Sequence, residues 1–152
     1  MNDYKTQFNN LIQQASIAID KQIDLKDYEI IDLGVPHIPR GLPKGKMGIY
    51  SFLYNDQFLK IGQAYQNSGA RFLSHHYNPQ LAPSTLAASL LADRDFEGFG
   101  ISESNIKEWI KANCRRIDIL MNSELGKFSL GFVEAIFHYY YEPKYEGFKS
   151  HR

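Results

Sequence analysis

One acidic side chain, Glu134, lies in a segment that is otherwise largely apolar. The segment has helical periodicity, and the residues around the acid are Leu130, Val133, Ile136, Phe137 and Tyr140. A carboxylate in such surroundings costs free energy unless it is paired or bound to a metal ion. Glu134 is therefore a candidate for a role in a site.

Four further side chains of useful chemical types occur nearer the middle of the chain: Tyr50, Lys60, Arg71 and His75. Tyr50 and Lys60 fall on two predicted strands of one hairpin, which would place the phenol near the amine. A phenol with a pKa of ~10 is a poor base until adjacent cations favour the phenolate. Hydrolysis of a phosphodiester needs a proton acceptor, a cation near the departing oxygen and donors to the nonbridging oxygens.

Each of these residues also has an ordinary structural interpretation. Tyr50 is one of ten tyrosines and fits a strand, Lys60 fits a solvated strand end, and Arg71 fits an exposed first turn of a helix. His75 and His76 are neighbours on a predicted helix, so at most one of them is expected to face the site. The i, i+4 relation to Arg71 favours His75.

Local patterns predict the elements that would carry these side chains. Helical periodicity or helix capping predicts helices at residues 3–19, 69–77, 86–93, 105–112 and 127–141. Aromatic and β-branched residues predict strands at residues 47–54, 57–62 and 115–121. A connector with three prolines occupies residues 34–45. The predicted fold class is α+β, with a small three-stranded antiparallel sheet flanked by helices and an N-terminal helical extension.

Two tripeptides on the predicted hairpin carry a resemblance to a known family. Gly48-Ile49-Tyr50 and Lys60-Ile61-Gly62 resemble the paired tripeptides that name the GIY-YIG nucleases. Arg71 early in the next helix, His75 one turn later and Glu134 in the last helix follow in the matching order. The resemblance covers about residues 47–146 and implies an endonuclease that hydrolyses the phosphodiester backbone of DNA.

The resemblance also implies a role for each residue. Tyr50 would activate the attacking water, and Arg71 would hold the phosphate and stabilise the transition state. His75 would assist as a proton relay or hydrogen-bond partner, and Glu134 would hold one metal ion. A carboxylate ligand fits Mg²⁺ or Mn²⁺ better than zinc, with water and substrate filling the remaining positions.

The chain departs from the family pattern at three places. Lys60 stands where the second tripeptide usually begins with tyrosine, although a lysine can still orient or activate the water. Glu146 stands where the family often has an asparagine after the last helix, which leaves its role open. Residues 78–112 form an insertion, and residues 1–46 precede the nuclease-like domain at 47–152. Both additions are expected to set substrate choice.

Charge gives no overall argument for a nucleic-acid partner, because 17 Lys and Arg residues balance 17 Asp and Glu residues. The distribution is uneven, since residues 1–33 are acidic and residues 34–81 are basic. The basic stretch is either a strip that faces phosphate or a solvated loop. The lone Cys114, together with the lack of a signal peptide or membrane span, predicts a cytoplasmic protein with no membrane partner.

Three functions remain open on the sequence alone. The first is an endonuclease, either restriction-like or associated with a phage or mobile element. The second is a degenerate member of the family that binds DNA without cutting it. The third is a protein-interaction domain whose contact surface would contain Tyr139, Tyr140, Tyr141 and Tyr145. In each of the first two, DNA is the partner, and the N-terminal helix and arm are expected to form a homodimer contact or to wrap DNA.

Overall fold

A computed structural model describes residues 2–145 as a succession of strands and helices. The strands of this part of the chain are β1 (Tyr28–Gly34), β2 (Lys46–Tyr54), β3 (Gln57–Ala64) and β4 (Arg115–Asn122). The α-helices are α1 (Tyr4–Ala18), α2 (Gly69–Leu73), α3 (Leu86–Ala92), α4 (Ile106–Asn113) and α5 (Lys127–Tyr141). Glu146, whose role the sequence left open, lies outside the described residues.

The four strands in residues 2–145 form one antiparallel sheet in the order β1-β4-β2-β3. Strand β2 pairs with β3 on one side and with β4 on the other, so Tyr50 lies opposite both Gly62 and Asp118. The prediction of an α+β fold with an N-terminal helix is confirmed. Strand β3, which carries Lys60, is left at an edge of the sheet.

The prediction of a three-stranded sheet is wrong, because β1 adds a fourth strand beside β4. Glu29 and Asp32 interrupt the apolar residues of β1, so its sequence lacks a clear strand pattern. Asp32 forms an ion pair with Arg115 of β4, 83 residues away in the sequence. This pairing compensates for a charge in a half-buried strand, and no local pattern could have revealed it.

Helices cover both faces of the sheet and bury a core on each side. On one face α1 and α5 pack over residues that include Met47, Ile49, Ile61, Ile117 and Ile119. On the other face, the core includes Phe52, Leu59, Phe72, Leu90 and Ile110. Strand β4 is buried at every position except its last. Its alternating polar residues therefore face a second core instead of solvent.

The N-terminal segment packs on the same body as the sheet. Tyr4, Phe8 and Ile12 of α1 are buried, and the Phe8 ring lies 4.6 Å from the ring of Phe137 on α5. After β1, the proline-rich arm returns across the opposite face, where it buries His37. The predicted apolar stripe of the N-terminal helix thus lies on the body, on the same core as the residues after 46.

The helix predicted at residues 69–77 is shorter than expected. Helix α2 ends at Leu73, and a 3-10 turn follows at His75–Tyr77. The backbone N–H of Tyr77 donates to the carbonyl of Ser74 at 3.1 Å, which closes the turn. This change of geometry decides where the two adjacent histidines point.

Candidate functional site

Side chains from β2, β3, α2, the turn after α2 and α5 line one cleft beside the edge strand β3. The cleft has a volume of about 230 Å³. All five residues predicted from the sequence line it: Tyr50, Lys60, Arg71, His75 and Glu134. They meet because β3 pairs with β2 and packs against α5, which brings distant parts of the chain to one edge of the sheet.

The phenol of Tyr50 has a partner that the sequence did not predict. Its oxygen lies 2.6 Å from Nε2 of His76, and the other ring nitrogen of His76 accepts a hydrogen bond from the backbone N–H of Leu86 at 3.1 Å. A backbone N–H can only donate, so Nδ1 carries no proton and the neutral ring is protonated at Nε2. His76 therefore donates to the phenol oxygen, and the phenol proton is directed elsewhere.

The imidazole of His76 is neutral across the physiological range. Its side chain is buried, and this burial, with a smaller effect of the Lys60 charge, lowers its pKa to about 3. A neutral N–H donor stabilises a phenolate more than a phenol. The arrangement therefore favours a negative charge on Tyr50 without providing a protonated acid.

Burial has the opposite effect on Tyr50 itself. It raises the pKa of the phenol well above its ordinary value, because a phenolate is poorly solvated there. The charges of Arg71 and Arg116 lower this pKa, whereas the charge of Glu134 raises it. An additional cation near Glu134 would remove the unfavourable contribution of the carboxylate and shift the phenol towards ionisation.

Two glycines make room for the aromatic rings at the site. A Cβ on Gly62 would overlap the ring and oxygen of Tyr50, which lies directly opposite on β2. A Cβ on Gly48 would lie 2.5 Å from the ring of Phe72, a contact too short for real atoms. The glycines of the two tripeptides therefore have a steric reason, since each lets a ring cross the strand.

The start of the predicted insertion forms part of the cleft wall. Lys60 is 5% exposed, and its Nζ donates to the carbonyl of Ser84 at 3.1 Å. Two residues later, the N–H of Leu86 holds His76 from the first turn of α3, where helix N–H groups have no partner within the helix. Sequence reasoning missed both contacts, because they are made by backbone groups.

Arg71 and His75 lie nearer to solvent than Tyr50 and Lys60. Arg71 is exposed, and His75 is partly buried. Burial and the neighbouring charge of Arg71 lower the pKa of His75. The expectation that at most one of the two histidines faces the site is wrong, because both line the cleft. It assumed an α-helix through residue 77, whereas the chain forms a 3-10 turn there.

Glu134 enters the cleft from α5 together with a second residue that the sequence did not single out. His138 follows one helical turn later, and its Nε2 donates to the carbonyl of Ile61 on β3 at 2.8 Å. The i, i+4 spacing from Glu134 was the only available signal for His138. This bond fixes α5, and with it Glu134, against the edge of the sheet.

The side chains in the cleft suit a hydrated metal ion better than a closed metal site. The described residues contain no group of three or more His, Cys, Asp or Glu side chains that could hold a metal ion. Glu134 brings a carboxylate, and Gln63, which also lines the cleft, has a buried side-chain oxygen without a hydrogen-bond partner. Oxygen donors fit a hard ion such as Mg²⁺, which keeps most of its water.

Comparisons with known proteins do not place the chain in a family. No family model matches the chain, and neither curated proteins nor solved structures gave a match. In residues 2–145 no helix combines the length and apolar character needed to cross a membrane.

Proposed function

We propose that the protein is a metal-dependent DNA endonuclease of the GIY-YIG type, which hydrolyses phosphodiester bonds. The observation that carries the proposal is the convergence of Tyr50, Lys60, Arg71, His75 and Glu134 in one cleft. These residues come from five different segments, and a fold without such a site has no need to bring a phenol, two cations, an imidazole and an acid together.

Tyr50 accepts a proton from the attacking water in this proposal. The His76 N–H stabilises the phenolate that starts the reaction, at a donor-to-acceptor distance of 2.6 Å. The positive charge of Arg71 lowers the pKa of Tyr50 and so assists its ionisation. Lys60 is anchored to the carbonyl of Ser84 and holds its ammonium at the cleft wall, where it orients the water.

Arg71, which is exposed, would bind a phosphate that reaches the cleft from solvent. Its guanidinium donates to nonbridging oxygens, whose charge increases in the transition state. His75 lies beside it at the mouth of the cleft and provides a second hydrogen-bonding group. The restriction-like, phage-associated and mobile-element-associated roles all fit this chemistry equally.

Glu134 is the residue that would hold one Mg²⁺ or Mn²⁺ ion, and Gln63, another residue of the cleft wall, has a buried side-chain oxygen without a hydrogen-bond partner. The bound ion would supply positive charge for the departing oxygen and for the phenolate of Tyr50. One carboxylate gives weak binding, so we expect the metal requirement to lie in the millimolar range, on the order of 1 mM or above.

The proposed partner is DNA, and a double-strand cut requires two protomers or two successive visits of one protomer. A homodimer and a cytoplasmic location complete the proposal. Exposed apolar side chains remain on α1 and α5, and we propose that a second protomer packs on the part of this surface that contains Ile17 and Tyr140.

A second candidate function is a DNA-binding module that does not cut. The observation that favours it is the elevated pKa of the buried Tyr50, which disfavours the basic form that the reaction needs. This candidate predicts retention on DNA at low salt without metal-dependent cleavage.

Plasmid nicking in the presence of Mg²⁺ or Mn²⁺ separates the two candidates. We expect nicking by the wild type, and a loss of at least about 100-fold in both Tyr50→Phe and Glu134→Gln. Tyr139→Phe and Glu124→Gln are matched controls, because both residues are exposed and lie outside the cleft. Equal background nicking by all five proteins, with DNA binding retained, would replace the endonuclease with the binding module.

A further inference from the structure

Arg116 is a buried cation that makes no contact with solvent and does not line the cleft. Its side chain is 1% exposed and lies on β4, on the same face of the sheet as Tyr50. Nε donates to the carboxylate of Asp118 at 2.8 Å, which compensates for the charge. A buried ion pair gives little net stability compared with apolar residues of the same volume, so stability alone does not account for it.

The other two hydrogen bonds of Arg116 reach the two ends of one short segment. Nη2 donates to the carbonyl of Phe72 at 2.6 Å, and Nη1 donates to the hydroxyl of Tyr77 at 3.0 Å. The Phe72 carbonyl lies in the last turn of α2, where carbonyls have no partner within the helix. One guanidinium is thus hydrogen-bonded to both ends of residues 72–77, and His75 and His76 lie between the two bonded residues.

The hydrogen bonds at Tyr77 extend to His37 in the proline-rich arm, and the donor and the acceptor of each bond can be assigned. Burial lowers the pKa of His37 to about 4, so the ring is neutral and carries one proton. Its Nδ1 lies 2.6 Å from the carbonyl of Cys114 and must donate to it, so Nε2 accepts. Tyr77 donates its hydroxyl proton to this Nε2 at 2.6 Å and accepts from Arg116 with its oxygen. Every donor has an acceptor in this series, which leaves the hydroxyl of Tyr77 one orientation.

We propose that Arg116 is a positioning residue of the site, which holds residues 72–77 so that the Nε2–H of His76 is aimed at the oxygen of Tyr50. A guanidinium carries its donors on three nitrogens held in one plane, so it reaches three acceptors that the single nitrogen of a lysine cannot reach together. A lysine at the same place keeps the charge opposite Asp118 but loses the simultaneous hold on Phe72 and Tyr77. The kinetic consequence rests on the proposed endonuclease function, whereas the geometric one does not.

The test compares Arg116→Lys with Arg115→Lys in the full chain. Arg115 is the adjacent residue on β4 and is also buried, but its side chain donates to Asp32 and to the carbonyl of Asn2 instead of to residues 72–77. Nitrogen-15 NMR of the histidine rings reports the tautomer and the Nε2–H of His76 without any need for activity. We expect this signal to be lost or to exchange rapidly in Arg116→Lys and to be unchanged in Arg115→Lys.

Cleavage kinetics provide the second readout. We expect kcat of Arg116→Lys to fall roughly 10-fold to 100-fold with KM within about twofold of the wild type, since a misplaced His76 affects the reaction more than binding. If Arg116→Lys does not fold, Tyr77→Phe removes the hydrogen bond from Arg116 to Tyr77 alone and is expected to show the same direction in both readouts. A folded variant with an unchanged His76 signal overturns the inference. An inactive wild type with the expected NMR change refutes the endonuclease only.

Discussion

Burial of Tyr50 sets the main difficulty for the proposed chemistry. The ring is 3% exposed, and its pKa is raised by this burial and lowered by the charges of Arg71 and Arg116. The group that acts as base must be ionised, so at neutral pH a small fraction of the molecules is competent. The same elevated pKa makes the phenolate a strong base in that fraction.

This elevated pKa predicts the pH dependence of cleavage. Below the pKa of Tyr50 the phenolate fraction increases tenfold for each pH unit, so kcat/KM is expected to rise roughly tenfold per unit from neutral to alkaline pH. Initial nicking rates at a fixed metal concentration measure the profile. A profile that is flat, or one with the same slope in Tyr50→Phe, would assign the pH dependence to another group.

The two histidines predict different effects on the rate. His76→Gln removes the aligned donor to Tyr50, and we expect kcat to fall roughly 100-fold, as for the loss of other oriented donors to a charged oxygen. His75→Gln changes a side chain at the cleft mouth and is expected to lower kcat/KM less than about 10-fold. Single-turnover cleavage of one labelled duplex compares them. The reverse order of effects would restore His75 to the role that the resemblance implies.

At the scale of elements, the site depends on how closely backbones approach each other. The pairing of β2 with β3 places Tyr50 over Gly62, and the start of α3 brings an N–H to His76. These contacts need short distances between elements, and only a residue without Cβ permits the first of them. The hairpin is therefore both the support of the phenol and the reason for its orientation.

The glycine on β3 gives a test at this scale. Gly62→Ala places a methyl group inside the Tyr50 ring position, so we expect a loss of about 1–3 kcal/mol of unfolding free energy and of most activity. Gly131→Ala is the matched control, because a Cβ there meets nothing within 4 Å and the helix gains about 0.5–1 kcal/mol. Urea unfolding measures both. Equal stability of the two variants would show that Tyr50 is not held against Gly62.

At the scale of the whole molecule, the segment before residue 46 packs against elements that carry or adjoin the site. Helix α1 packs Phe8 against Phe137 of α5, and α5 carries Glu134. Strand β1 covers the outer side of β4 through pairing and through the Asp32–Arg115 ion pair. Removing residues 1–33 would uncover this core, so truncation is a poor test of dimerisation, and sedimentation of the full chain is a better one.

The buried α1 contact predicts a large effect far from the cleft. Phe8→Ala removes a fully buried ring and is expected to lower the free energy of unfolding by about 3–5 kcal/mol. Phe128→Ala is the control, since this ring is 83% exposed and its loss is expected to change stability by less than about 0.5 kcal/mol. Thermal and urea unfolding measure the difference. Similar small effects would mean that α1 is not part of the core.

The charge distribution belongs to the same scale. Arg40 and Lys44 of the arm and Arg71 at the cleft are exposed, whereas Lys60 is buried. Lys46 donates to the side chain of Asn122 within the sheet. The cations of the basic stretch therefore occupy three kinds of position: some are exposed to solvent, some line the cleft, and one is hydrogen-bonded within the sheet.

The sequence alone determined the local elements and the identity of the main cleft residues. Helical periodicity predicted α1 and α5, and β-branched and aromatic residues predicted the β2–β3 hairpin and β4. The order of Tyr50, Lys60, Arg71, His75 and Glu134 pointed to one site, and all five line one cleft. The elements follow from propensities and spacing within a few turns or strands, and such signals are present in any short window. The order of the five residues is what the resemblance to the GIY-YIG nucleases implies.

Only the tertiary structure decided which groups those residues contact. The fourth strand needs Arg115 to balance Asp32, and His76 reaches Tyr50 because a 3-10 turn replaces the predicted helix. Backbone groups of Ser84 and Leu86 orient Lys60 and His76, and any residue in those positions presents the same atoms. Contacts of this kind arise from long-range pairing and from main-chain atoms, which are nearly the same in every residue. The pattern of side chains in the sequence therefore cannot predict them.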